Sequence, residues 1–135
     1  MPKLLQMKKK THKFAVIYVT AATKREAQRI ARTLLQDRWA AGVNLVGPVF
    51  SSYWWQGRIK QSREWLLLAK TRAALTAPII RRVKALHSYE VPCIVALPLT
   101  RGNPEFFRWI ERETAAECWP RINTDLIRMK KDRGE

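Results

Sequence analysis

Cysteine and histidine are scarce in this 135-residue sequence, which contains only Cys93, Cys118 and two histidines. A disulfide framework and a closed four-ligand zinc site within one chain are therefore not expected. Two cysteines suit a reducing compartment, and we predict a cytoplasmic protein. No apolar run approaches the ~20 residues of a membrane span, and the basic N-terminal segment lacks the continuous apolar stretch of a secretory signal. We therefore expect neither a membrane-spanning chain nor a secreted disulfide-rich domain.

Motifs typical of enzymes are missing as well. The sequence has no phosphate-binding loop, no glycine-rich turn entering a helix and no paired catalytic carboxylates. One combination suggests catalysis, with His87 as base and Cys93 as nucleophile. Those two residues fall on a predicted loop and a predicted strand, so their side chains need not meet. We predict that the protein is not an enzyme and has no catalytic residues.

Acidic residues are few. The sequence has 11 Asp and Glu but 26 Lys and Arg, which gives a net charge of +15. The excess extends beyond the lysine-rich residues 1–13, because residues 14–113 also carry more basic than acidic groups. Such a charge attracts polyanions of any kind and names no particular partner.

The first part of the chain predicts a strand and an amphipathic helix. Residues 13–20 are rich in β-branched and aromatic side chains, as buried strands are. Thr23 followed three residues later by Glu26 forms a capping-box pattern. Apolar residues then recur at helical spacing, which predicts a helix over residues 23–36.

A long hairpin is predicted next. Residues 41–46 and 49–55 have strand character, and Gly47-Pro48 breaks or bends the chain between them. Gln56-Gly57 predicts the turn, after which residues 58–70 return as a third strand.

The last elements are a helix, a strand and a further helix. Thr76 is the expected cap of the first of these helices. Residues 93–100 predict a strand, and Pro98 within it favours an edge strand or the end of a strand. Asn103 predicts the start of the final helix. Beyond Thr114 the pattern weakens to a loose amphipathic tail with Trp119, Ile122 and Leu126.

The element order is β-α-β-β-α-β with an additional C-terminal helix. Two split β-α-β units of this kind predict a ferredoxin-like α+β sandwich, in which both helices cover one face of an antiparallel sheet. RNA-recognition domains share this order, so an RNA-binding domain that uses its basic surface stays an alternative. The third strand, however, lacks the glycine-aromatic signature of such domains.

The predicted hairpin is too long for its domain. The strand over residues 58–70 would measure roughly 40 Å, whereas a chain of this size has a radius of gyration of about 14 Å. The overhang carries Tyr53, Trp54, Trp55 and Trp65, which must be covered. We predict that further copies of the chain cover it in a closed ring. The alternative is a bulged hairpin that folds back on its own helices.

Five motifs in order give the chain a family resemblance: "WAAGVNLVGPV", "SSYWWQG", "EWLLLAKT", "HSYEVPCIVALPL" and "GNPEFFRWI". Together they resemble the CutA family, named for divalent-cation tolerance. The resemblance implies a ferredoxin-like fold and a homotrimer, in which long hairpins extend sheets between subunits and clefts form at the interfaces. It divides the chain into a basic N-terminal extension (1–12), a CutA-like domain (13–113) and a C-terminal extension (114–135).

The resemblance also implies candidate site residues. Those expected to line the inter-subunit cleft are Tyr53, Trp55, Glu64, Lys70 and Tyr89. The proposed ligands for copper or another divalent cation are His87, Glu90 and Cys93. No other cofactor is predicted. The loop from His87 to Cys93 can equally serve only to end a helix and line an interface.

The chain departs from the family pattern at three positions. Gly42 stands where many members have a cysteine, Ser88 where a proline is usual, and Cys93 where a glutamate is usual. Loss of the usual cysteine weakens any copper site placed there, whereas Cys93 supplies a thiol elsewhere or packs as a small buried residue. The resulting prediction is a non-catalytic trimer that acts in divalent metal ion tolerance or response. It would bind divalent cations, copper foremost, or a small ligand in the inter-subunit cleft.

Overall fold

The structure, a computed structural model, describes residues 12–115. The predicted extensions, including the amphipathic tail with Trp119, lie almost entirely outside that range. Eight elements follow in chain order: β1 (Phe14–Ala21), α1 (Lys24–Gln36), β2 (Gly42–Trp55), β3 (Arg58–Arg72), a 3-10 turn (Ala73–Leu75), α2 (Thr76–Leu86), β4 (Ile94–Leu99) and α3 (Pro104–Glu113).

The four strands form one antiparallel sheet in the order β2-β3-β1-β4. This order and the two split β-α-β units confirm the predicted ferredoxin-like α+β fold. The strand β4 pairs only with β1, so Pro98 lies in an edge strand as predicted. An edge is where a proline, which cannot donate to a ladder, is tolerated.

One face of the sheet carries the hydrophobic core. Successive strand residues point to opposite faces, and the odd-numbered residues of β1 and β3 turn towards the helices. The central core side chains are those of Ile17, Val19, Ile30, Leu34, Leu67, Ile79 and Val83, each 0% exposed. Helices α1 and α2 therefore cover this helical side, which matches the apolar stripes of their sequences.

The opposite face, here called the open face, carries the even-numbered residues of β1 and β3. Helix α3 covers only one end of it, where Phe107 stacks on Phe14 with ring centroids 4.9 Å apart. At the same end, a Cβ added at Gly42 would lie 3.2 Å from the Trp109 ring. A cysteine at position 42 would crowd that ring, which gives a structural reason for glycine here. Val46, Val95 and Leu97 on the rest of this face are almost half exposed.

Strands β2 and β3 form the long hairpin that the sequence predicts. The tip is a two-residue turn in which Gln56 and Gly57 both have positive φ, 52° and 77°, the conformation that suits the twist of a hairpin. The chain does not break at Gly47-Pro48, because β2 continues through a register shift between Val46 and Val49. The two predicted strands are thus one bent strand of 14 residues.

The helix ends agree with prediction except at α2. The side chains of Thr23 and Asn103 accept hydrogen bonds from the backbone N–H groups of Glu26 and Glu105, as N-caps do. Thr76 is not a cap, because the preceding 3-10 turn places it inside the first turn of α2. That short turn has no periodic sequence signal and was not anticipated.

Candidate functional site

A cleft of ≈ 640 Å³ lies on the open face, beside the hairpin and the loop between α2 and β4. Glu64 belongs to the same face as Leu66 and Leu68 of β3, because strand residues alternate. The loop, residues 87–93, closes one wall. Among residues 12–115, the lining consists of Tyr18, Thr20, Ser51, Ser52, Tyr53, Trp55, Lys60, Glu64, Ser88, Tyr89, Glu90, Val91 and Cys93.

His87 anchors this loop to the sheet. Its imidazole is fully buried. The Nε2–H donates to the backbone carbonyl of Thr20 at 2.7 Å, and Nδ1 accepts the backbone N–H of Tyr89 at 3.1 Å. These partners assign the neutral tautomer with its proton on Nε2. Both ring nitrogens are therefore occupied by backbone groups, and the ring holds the first residues of the loop in place.

A second anchor joins the loop to α1. The carboxylate of Glu26, only 8% exposed, accepts hydrogen bonds from the backbone N–H of Ser88 at 2.6 Å and from the Ser88 hydroxyl at 2.9 Å. The capping box predicted from the sequence is thus half formed. Thr23 caps the helix as expected, but the Glu26 side chain turns to the loop. Charge-assisted bonds of this kind are among the stronger hydrogen bonds in proteins.

Glu64 is the buried charge of the cleft. It is 6% exposed, and its Oε2 accepts the hydroxyl proton of Tyr89 at 2.8 Å. Burial and the bond to Glu64 raise the pKa of the Tyr89 hydroxyl, so Tyr89 stays a donor. Cys93 is exposed as a residue, but its thiol is partly shielded from water, and this partial burial together with the nearby Glu64 charge raises the pKa of the thiol. The cleft wall therefore combines a carboxylate, a phenol and a protonated thiol.

The structure brings together most of the predicted cleft residues. Tyr53, Trp55, Glu64 and Tyr89 line the same cleft, whereas Lys70 lies farther along β3. The Lys70 ammonium donates to the side-chain carbonyl of Asn44, and burial lowers its pKa. Lys70 is therefore separate from the cleft of a single chain.

The three predicted metal ligands share one loop but not one orientation. Glu90 and Cys93 line the cleft, whereas the His87 ring points to Thr20. Cys93 is exposed and precedes β4, so it is neither a strand residue nor a small buried one, contrary to that alternative. Within residues 12–115, no three His, Cys, Asp or Glu side chains are grouped as a preformed metal site.

Sequence reasoning missed several residues of the lining. Tyr18 and Thr20 were assigned to a buried strand, although their even positions in β1 place them on the open face. Ser51, Ser52 and Lys60 were overlooked because small and charged residues on a hairpin usually indicate only solvent exposure. The alternation along β1 was the one signal that could have identified Tyr18 and Thr20.

Comparison with known proteins gives a consistent result. The family model described as "CutA1 divalent ion tolerance protein" matches residues 15–113. The divalent-cation tolerance protein CutA of Archaeoglobus fulgidus is 45% identical over 95 residues, which is 70% of this chain and 92% of that protein. The chloroplastic protein CutA 1 of Oryza sativa is 38% identical over 99 residues, which is 73% of this chain but 56% of that protein.

Solved structures agree with these sequence matches. The structure described as the periplasmic divalent cation tolerance protein CutA from Archaeoglobus fulgidus superposes with a TM-score of 0.73 at 42% identity, and covers 75% of this chain and 98% of that one. The divalent cation tolerance protein from Thermus thermophilus gives 0.74 at 41% identity, with 76% and 99% covered. Among the helices of residues 12–115, none is long and apolar enough to cross a membrane.

Proposed function

The chain belongs to the CutA1 divalent ion tolerance family, and on that premise we propose a non-catalytic role in divalent metal ion tolerance or response, with the cleft beside β3 as the binding site. The ligand is a divalent metal ion or copper, held where the cleft is completed by a neighbouring copy of the chain. The proposed role is binding rather than catalysis, in keeping with the family named for divalent ion tolerance.

One observation carries this proposal, namely the buried carboxylate of Glu64. Within the described residues, its one side-chain partner is the Tyr89 hydroxyl. An ionised carboxylate can accept about four hydrogen bonds or coordinate a cation. A buried carboxylate that lacks hydrogen-bond partners costs free energy because it has lost its hydration. A cation bound in the cleft would offset this desolvation energy.

Glu90 and Cys93 supply further donors on the same wall. Copper prefers soft ligands such as a thiolate, whereas harder cations prefer carboxylates. The raised pKa of Cys93 means that copper must displace a proton to bind the sulfur, so binding should strengthen as pH rises. His87 would have to leave Thr20 or Tyr89 in order to coordinate, and in this proposal it positions the loop.

A homotrimer is part of the same proposal. In the single chain the hairpin exposes Phe50 by 81%, Trp54 by 72% and Ile59 by 62%. Trp54 and Ile59 are direct cross-strand partners, and monomers seldom leave large apolar patches in water. Copies of the chain that cover the hairpin would also add residues to the cleft beside it, and Lys70 could join the site in that way.

The proposed compartment is the cytoplasm, where the free thiol of Cys93 would stay reduced. The alternative compartments are the chloroplast and the periplasm, because relatives are described as chloroplastic and as periplasmic. Cell fractionation would distinguish the three.

Anaerobic titration of the full chain with copper(I) and with zinc, followed by calorimetry, tests the cleft. We expect binding by the wild type and a loss of about 10–100-fold in affinity for Cys93→Ser and Glu64→Gln. Cys118→Ser is a matched control because it removes the other thiol of the chain. Glu105→Gln is the second control because it removes a carboxylate on α3, outside the described lining of the cleft. Equal affinity in all five proteins would contradict the proposal.

A further inference from the structure

The surface formed by α1 and α2 carries a concentration of positive charge that the cleft does not use. This surface, here called the basic helical face, exposes seven basic side chains: Lys24, Arg25, Arg29, Arg32, Arg81, Arg82 and Lys84. Most of it lies on the opposite side of the sheet from the open face. It adjoins the cleft at one point, because Ser88 lines the cleft and also a second pocket with Arg25 and Arg29.

The two helices lie side by side and antiparallel. The Arg29 guanidinium on α1 donates to the backbone carbonyl of Leu86, at the end of α2, at 2.8 Å. At the other end, Arg82 on α2 lies 3.9 Å from the Asp37 carboxylate that follows α1. The seven basic residues thus belong to one continuous surface, and α1 with 13 residues is about 20 Å long.

The charge of this face is largely uncompensated. Only two acidic residues occur on or directly after these helices, and both are engaged. Glu26 is buried and bonded to Ser88, and Asp37 pairs with Arg82. The other carboxylates of residues 12–115 lie in or near the cleft or on α3. Within residues 12–115, the basic helical face therefore has little negative charge of its own, whereas basic residues elsewhere in the domain lie among the remaining carboxylates.

We propose that the basic helical face binds the phosphate backbone of duplex nucleic acid without reading its sequence. About 20 Å of duplex carries roughly a dozen phosphates, which matches the length of the surface. Neither helix contains an aromatic residue on which unpaired bases could stack. Contacts of arginine and lysine with phosphates position a protein on a duplex but do not specify bases.

An anionic membrane is the competing ligand for a basic helical surface, and the packing disfavours it. Helices that bind membranes insert an apolar face below the headgroups. Here the large apolar side chains of both helices, such as Ile30, Leu34 and Ile79, are fully buried in the core. Leu35 alone is appreciably exposed, at 41%. The basic helical face is therefore charged but has no row of apolar side chains that could insert into a membrane.

The test is fluorescence anisotropy with a labelled 20-base-pair duplex of mixed sequence, titrated with the full chain between 50 and 200 mM salt. The face variant combines Arg25→Gln, Arg32→Gln and Arg81→Gln. The control variant combines Arg58→Gln, Arg101→Gln and Arg108→Gln, which lie outside α1 and α2 and are also exposed. Both lower the net charge equally, and glutamine keeps a helix propensity close to that of arginine.

We expect the wild type to bind with a steep salt dependence. Three lost phosphate contacts reduce the slope of log K against log salt by up to about 2.7, which corresponds to up to about 500-fold weaker binding at 0.1 M salt. The control variant should lose less than about threefold, through the long-range field alone. Glu64→Gln should bind the duplex as the wild type does, so this result is independent of the cleft.

Three outcomes would overturn the proposal. The first is an absence of wild-type binding at 50 mM salt, and the second is an equal loss in the face and control variants. The third is binding to vesicles that contain phosphatidylserine without binding to the duplex, which would assign the surface to membranes.

Discussion

Replacement of His87 by alanine distinguishes an anchor from a metal ligand. In the structure, the ring satisfies two backbone groups, the carbonyl of Thr20 and the N–H of Tyr89, from a fully buried position. Alanine would leave both groups without that partner and would open a cavity where the imidazole lies. The consequence should therefore be visible in the metal-free protein.

The expected size of the effect follows from those two contacts. A buried polar group that loses its partner costs about 1–3 kcal/mol, so the two together cost about 2–6 kcal/mol before the loss of packing is counted. Since whole domains are stable by only about 5–15 kcal/mol, this is a large fraction. With about 4–8 °C per kcal/mol for a domain near this size, the melting temperature should fall by at least about 8 °C.

Thermal unfolding of metal-free protein at one fixed protein concentration is the assay, because self-association makes the melting temperature concentration-dependent. The matched control is His12→Ala, since His12 is the other histidine of the chain and is exposed. It should change the melting temperature by less than about 2 °C, as surface substitutions do. An unchanged melting temperature in His87→Ala together with abolished copper binding would refute the anchor and make His87 a ligand.

Two further predictions concern the cleft thiol and the hairpin. The alkylation of Cys93 by iodoacetamide can be followed by mass spectrometry of its peptide. The pH at which the alkylation rate reaches half its maximum should lie above the ordinary thiol pKa of 9.0, because partial burial and Glu64 favour the protonated thiol. Glu64→Gln should shift this midpoint to lower pH, and no shift would disprove the coupling. In sedimentation at micromolar concentration, the wild type should exceed the 15.8 kDa of one chain. Trp54→Lys should shift it towards that mass and Leu35→Lys should not, whereas a wild-type particle of one chain would rule out the trimer.

Most of the fold could be predicted because its signals are local. Alternation and helical spacing depend on neighbouring residues, and they located every strand and helix of residues 12–115 to within a few positions. The sequence is least decisive where tertiary packing decides. It allowed either a break or a bend at Gly47-Pro48, and the structure shows the bend, where a Cβ on Gly47 would lie 2.3 Å from the Trp65 ring on β3. Glycine is required there by a side chain 18 positions away, which no local pattern reveals.

The candidate site was predicted only in composition. The sequence identified the loop around His87 as a candidate site. Four of the five residues predicted for an inter-subunit cleft line one cleft of the single chain. It could not indicate which donors face the cleft, because the orientation of the His87 ring is set by the carbonyl of Thr20, 67 positions away. Residue types identify a possible metal site, whereas long-range hydrogen bonds determine which of its members are free to bind.

Ser88, which stands where the family resemblance leads us to expect a proline, has a clear structural role. A proline at this position has no backbone N–H and no hydroxyl, so it could satisfy neither oxygen of the buried Glu26 carboxylate. Ser88 satisfies both, at 2.6 and 2.9 Å. A proline would stiffen the loop through its ring, whereas Ser88 attaches the loop to α1 through charge-assisted hydrogen bonds to Glu26. The next residue, Tyr89, donates its hydroxyl proton to the buried Glu64 carboxylate of the cleft. The hydrogen bonds of Ser88 and of His87 therefore hold the Tyr89 hydroxyl in position for this bond.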